Sequence, residues 1–128
     1  MIRQTLVNDD YNGVFIGGMH ETSAGCFKSS NNGPGEFFAT FAINQVGSAV
    51  TLAMTVQGGE TCNFVGTFSQ YGQMGAIGGT FSCTSGEVGA FQMFEMQTSL
   101  SGMTGRFAAN SSNFGCQDSG WFGGARHQ

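Results

Sequence analysis

The sequence predicts an all-β chain: an eight-stranded antiparallel up-and-down meander, closed into a barrel and stapled by two disulfides. Three observations carry that expectation. Apolar residues recur at every second position, the period of a strand with one buried face. Turn-rich Gly, Ser and Asn pairs interrupt the alternation at intervals of roughly a dozen residues, as in β-sandwiches and barrels. A Gly-x-Phe unit recurs at Gly13-Val14-Phe15, Gly35-Glu36-Phe37, Gly66-Thr67-Phe68, Gly79-Thr80-Phe81, Gly89-Ala90-Phe91, Gly105-Arg106-Phe107 and Gly120-Trp121-Phe122. Residues two apart share a face, so each unit puts a small and a large residue side by side, the way narrow barrels fill their interior.

Composition sets the outer bounds. A chain of 128 residues is one domain's worth, so 1–128 is assigned to a single barrel. The 13 Phe argue against charge-driven disorder, and the 22 Gly have neither a collagen period nor confinement to a linker. Only 9% of residues are charged and the basic ones, Arg3, Lys28, Arg106 and Arg126, are scattered, so nucleic acid is not an expected partner. Asp9-Asp10 reads as a solvated entry to the first strand. No apolar run is long enough for a membrane helix, and no membrane insertion is expected.

Strands are expected, in order, at 11–22, 36–45, 48–57, 61–71, 74–83, 87–97, 102–109 and 115–126. The first carries Phe15 and Met19 inward, the second Phe37 and Phe41. A turn at Val46-Gly47 then sets Ile43 opposite Val50, Phe41 opposite Leu52 and Phe37 opposite Val56. A three-residue loop at Gly58-Gly59-Glu60 brings Met54 to Phe64. The turn at Gly72-Gln73 pairs Phe68 with Ile77, Phe64 with Phe81 and Cys62 with Cys83. The loop Thr84-Ser85-Gly86 sets Phe91 against Gly79, with Met93 following inward. Phe107 and Phe122 complete the interior from the last two strands. One face survives every hairpin, leaving Val14, Ile16, Phe38, Val65, Phe94, Met96 and Trp121 outside.

The cysteines check that topology. Their positions contain no C-x-x-C or His-partnered pattern, so no metal site is expected, and no cofactor motif occurs. Hairpin arithmetic puts Cys62 beside Cys83, which leaves Cys26 for Cys116. In a closed meander the first and last strands are neighbours, so both bridges fall at one end, the top. Two disulfides imply a secreted or periplasmic chain whose signal has been removed ahead of Met1; the alternative is four reduced thiols in a cytosolic protein.

The longest connection, about 23–35, also lies at the top and forms a natural lip. At the bottom the same phase turns Tyr11, Gln70, Glu95, Gln97 and Arg126 inward. Tyr11, Glu95 and Arg126 are expected to close that end as a polar plug, with Glu95 neutralising the guanidinium.

The arrangement resembles the calycin superfamily of lipocalins, fatty-acid-binding proteins and avidins. The residues that carry the likeness are Asn12-Gly13-Val14-Phe15 on the first strand, where those families often have Gly-x-Trp, and Gly120-Trp121-Phe122 followed by Arg126 on the last. The resemblance implies a ligand inside the barrel. The chain departs from lipocalins in lacking a C-terminal helix and from fatty-acid-binding proteins in lacking a helical lid. Its single Trp does not imply biotin binding.

The expected function is therefore binding of a small hydrophobic or aromatic molecule. The lining set is Phe15, Met19, Phe37, Phe41, Leu52, Met54, Phe64, Phe68, Ile77, Phe81, Phe91, Met93, Phe107 and Phe122. The plainer reading is that these side chains only fill the core. One alternative is a self-assembling extracellular protein, a homo-oligomer joined through outward Phe38, Phe94 and Trp121. Another is a barrel enzyme of cyclase or isomerase type using Glu95 or Asp118 as a buried acid or base. No nucleophile or phosphate-loop motif accompanies them, and His20 and His127 fall outside the interior.

Overall fold

The computed structural model describes residues 10–127. Arg3, read above as one of the scattered basic residues, and Asp9, read as part of a solvated entry to the first strand, lie outside the described residues. Eight strands follow in order: β1 (Gly13–Ala24), β2 (Gly33–Val46), β3 (Ala49–Val56), β4 (Thr61–Tyr71), β5 (Met74–Cys83), β6 (Val88–Thr98), β7 (Gly102–Ser111) and β8 (Gln117–Arg126). Each pairs antiparallel with the next, and β1 pairs with β8 from Phe15↔Arg126 to Ala24↔Gln117, closing the barrel. A short 3-10 turn, Ser29–Asn31, interrupts the β1–β2 connection. Among the described residues no helix is long and apolar enough to cross a membrane.

Alternation places the core. Phe15, Phe41, Leu52, Phe68, Ile77, Phe81, Phe91, Phe107 and Phe122 are buried in one cluster, and Ile16, Phe38, Val65 and Trp121 stand outside. The repeated glycines make room for these rings. Gly105 lies opposite Phe122, and a Cβ there would stand 2.5 Å from the ring. At the β1–β8 seam Gly17 meets Gly124 and Gly18 meets Gly123, and a Cβ on Gly17 would strike the Gly123 carbonyl. Large rings inside and bare backbone at the seam let a narrow barrel close.

The β4–β5 register is the expected one, with Cys62↔Cys83, Phe64↔Phe81 and Phe68↔Ile77. Gly79↔Phe91 also holds. Two hairpins slip by two residues. The β2–β3 turn sits at Gly47-Ser48, so Phe41 faces Met54, Ile43 faces Leu52 and Ala39 faces Val56. Gly47, with φ 62, takes the turn's left-handed position, which glycine adopts without steric cost. On the other side Met54 pairs with Cys62 and Leu52 with Phe64. A slip of two preserves parity, so the buried face is unchanged. The β1–β2 hairpin also runs further than expected, to Ser23↔Gly33, with Pro34 inside β2, so the lip is only residues 25–32.

Beta-6 breaks the alternation. Its register shifts between Phe94 and Gln97 on β7 and between the partners of Gly75 and Ile77 on β5, the mark of one extra residue. Glu95 sits in the bulge at φ 52, the only positive φ outside glycine among the described residues. Beyond it the faces exchange. Met96, expected outside, is fully buried, while Glu95 and Gln97, expected inside, are exposed.

Two disulfides, Cys26–Cys116 and Cys62–Cys83, staple the top. The first joins the lip to the entry of β8, and Cys26 N–H also donates to Asn32 Oδ1 at 2.9 Å. Bridges of this kind belong to oxidising environments.

Candidate functional site

The two halves of the interior differ. In the lower half, Phe15, Leu52, Phe68 and Ile77 are buried in one apolar cluster. Tyr11 closes beneath them, fully buried, its ring 5.4 Å from that of Phe68. The segment before β1 is pinned there: Tyr11 N–H donates to Gln45 Oε1 at 2.8 Å, and Gln45 N–H donates to Asn12 Oδ1 at 2.6 Å.

Arg126 completes that floor. Its guanidinium lies 4.6 Å from the Phe15 ring centre and donates to Asn12 O at 2.6 Å, Thr98 Oγ1 at 3.2 Å and Ser99 O at 3.2 Å. Carbonyls and a hydroxyl, not a carboxylate, receive its charge. Glu95, assigned above to this plug and to catalysis, is on the outer surface, 3.3 Å from Arg106 Nη1. The bulge turns it away from the interior, which removes it from both roles.

In the upper half the side chains surround an open cavity of about 400 Å³. Phe64, Phe81 and Phe91 form one aromatic wall, with Phe64 to Phe81 at 5.6 Å and Phe64 edge-on to Phe91 at 5.0 Å. Phe41, Phe107 and Phe122 form the opposite side, Phe41 lying 5.9 Å from Phe122. Met19, Met54 and Met93 fill between them with soft, adaptable walls. Phe37 lies at the rim, 39% exposed, its ring folded over Gly35. Ten of the residues expected to line a pocket thus do so, while Phe15, Leu52, Phe68 and Ile77 belong to the packed base.

The mouth is acidic. Glu21, Glu60, Glu87 and Asp118 line the cavity from β1, the β3–β4 turn, the β5–β6 turn and β8. Burial, with the carboxylates of Asp118, Glu87 and Glu60 adding to it, pushes Glu21 up to about 7 from its ordinary 4.5. Burial likewise raises Glu87, against a hydrogen bond from Ser111 that lowers it, and raises Asp118 against one from Ser23. No Lys, Arg or His lines the cavity among the described residues. The lip, 25–32, contributes nothing to the wall. Glu60 lies beside Cys62 and Cys83, but both sulphurs are used in their disulfide, so that trio offers a metal a single carboxylate.

Sequence reasoning found Asp118 at the upper rim and missed the other three. Glu21 is in phase with Met19, two residues on, so simple alternation points it inward; it was overlooked because a carboxylate does not read as core. Glu60 and Glu87 stand in turns, where side-chain direction follows turn geometry and has no period.

On the outside, Phe38 is 75% exposed and Trp121 57%. Arg106 lies 5.2 Å over the Phe94 ring and 5.7 Å over Trp121, so a guanidinium contacts two of the three rings expected to join subunits, while Trp121 stays exposed. His20 pairs with Glu36 at 3.5 Å on the same surface.

Comparison of the chain with protein-family models, curated proteins and solved structures returns no match.

Proposed function

We propose that this eight-stranded, disulfide-stapled barrel binds a small apolar or aromatic molecule in its upper half, as an exported protein of calycin-like design. The observation that carries the reading is the contrast within one interior. Below, Phe15, Leu52, Phe68 and Ile77 are buried in the core cluster and none of them lines the cavity; above, equally apolar side chains stand around about 400 Å³. Protein cores close such space when nothing occupies it, and ligand sites fall in this size range. The closed floor makes the mouth the route of entry.

The test is thermal unfolding with a panel of neutral aromatic and isoprenoid compounds, on the native chain and on Ala109→Phe. Ala109 lines the cavity near Asp118, so a ring there fills the space. A ligand that raises the native melting temperature and leaves the variant's unchanged supports the reading. A panel without effect on the native chain removes it.

A second reading, a barrel enzyme, draws on Glu21, a carboxylic acid in an apolar cavity that titrates near neutrality, as general acids do. Recovery of a bound compound chemically unchanged after long incubation removes this alternative. Self-assembly through the outer surface has less support, because Arg106 sets a charge over the Phe94 and Trp121 rings beside the exposed Phe38, Ile16 and Trp121.

A further inference from the structure

Resting on the ligand-binding reading, we infer that the cavity's occupant is an amphiphilic organic cation: an aromatic body seated among the phenylalanines, with a protonated amine at the mouth against Glu21, Glu87 and Asp118. The cavity supplies the body's site and its rim specifies the head.

The rim is one-signed in a place where that is costly. Four carboxylates reach one opening from four separate elements, and no cationic side chain of the wall offsets them. Like charges facing a partly dry space repel one another, and each loses hydration. A barrel that took only neutral guests would need no such ring, and an anionic guest would be repelled by it. An ammonium group pairs with carboxylates at close range and strengthens as water leaves the mouth.

Local sequence leaves room for that head. Glu21 lies between Gly35 on β2 and Gly120 on β8, neither of which carries a side chain, and the Phe37 ring folded over Gly35 gives it an apolar flank. Asp118 pairs with Ala109 and Ser23, both small. Cys62 and Cys83, held together, form the wall next to Glu60. Below the carboxylates the surface is entirely apolar, with Phe64, Phe81 and Phe91 nearest one another. A flat ring with a short ammonium arm meets both.

Without a guest, protons take the cation's place. Glu21 is raised to about 7 by burial and by the carboxylates of Asp118, Glu87 and Glu60, the charged groups that act on it from β8 and the two turns. Glu36 of β2 is engaged with His20 outside, and β7 contributes Phe107 and Ala109 to the wall, neither of them charged. Binding of the amine therefore displaces protons from the rim to the solvent. The preference for an amine grows as pH rises through the titration of the rim.

The experiment is calorimetric titration of the intact, disulfide-bonded protein with three compounds sharing one ring: naphthylethylamine, naphthylethanol and naphthylacetate. At about pH 8 the amine is expected to bind at least about tenfold more tightly than the alcohol, and the acetate least. At about pH 5 that ratio falls several-fold, and it falls likewise at about pH 8 in Glu21→Gln/Asp118→Asn. The pH series on the native chain gives the answer even if the double variant does not fold. Equal affinity for amine and alcohol at about pH 8 overturns the cation while leaving the pocket intact. Absence of binding by all three overturns the pocket reading and this inference with it. Tightening by calcium chloride with no preference for the amine assigns the mouth to a metal ion and also overturns it.

Discussion

The guanidinium of Arg126 lies 4.6 Å from the centre of the Phe15 ring, joining the last residue of β8 to the first large ring of β1 at the barrel's floor. The same group gathers Asn12 ahead of β1 and Thr98 and Ser99 at the end of β6, so it ties the closing seam to the β6–β7 turn. Replacing it leaves acceptors and an aromatic face without a partner. Arg126→Gln is expected to lower stability by about 2 kcal/mol. Arg126→Lys recovers less than half of that, because an ammonium cannot span the fork. Chemical denaturation midpoints at constant slope measure both.

Glu95 and Met96 exchange the roles their positions imply. The Glu95–Arg106 pair is solvated, so Glu95→Gln is expected to cost less than about 1 kcal/mol. Met96→Ala empties a fully buried position and is expected to cost about 2–5 kcal/mol. Were Glu95 the buried partner of Arg126, its loss would cost about 3–5 kcal/mol. Urea unfolding of the two variants separates these outcomes.

The disulfides contribute unequally. Cys26–Cys116 spans 90 residues and Cys62–Cys83 spans 21. In the chain-entropy account the first stabilises by about 4–5 kcal/mol and the second by about 3 kcal/mol. Paired Ser variants, unfolded in denaturant, are expected to rank in that order.

Glu21 gives stability a pH dependence of definite sign. Its pKa is raised on folding from 4.5 to about 7, so between those values the folded chain holds a proton that the unfolded chain has released. Stability therefore falls as pH rises through that window, and the cost is complete above it. Glu21→Gln removes the cost: it is expected to stabilise by up to about 3 kcal/mol at about pH 8 and to be nearly neutral at about pH 4.5. Melting temperatures across the range measure it.

Much of the fold was legible because alternation and turn residues act locally. Phe64, Phe68, Ile77 and Phe81 fall on one face by parity alone, and the Gly72 turn fixes their partners. The two-residue slip of β2 against β3 was not legible, because both registers bury the same face and only the choice of glycine for the left-handed turn position separates them. The β6 bulge left no mark that alternation could read: nothing about Glu95 announces a positive φ, yet that residue moved Met96 into the core. The cavity was half legible. Its rings were in the interior list, but whether fourteen apolar side chains meet or stand apart depends on barrel diameter and rotamers, which sequence periodicity does not contain. The acidic mouth was the least visible part, since it assembles from two strands and two turns far apart in the chain.

The central claim is that the upper interior is a binding space and the lower interior is not. Methionine methyl resonances read it directly, because Met19, Met54 and Met93 line the cavity, Met103 is packed below and Met74 is on the surface. Titration with a neutral naphthyl alcohol is predicted to shift the first three methyl signals together, saturably, and to leave Met74 unmoved. Shifts confined to Met74, or none at Met19, Met54 and Met93 at millimolar ligand, would contradict the account.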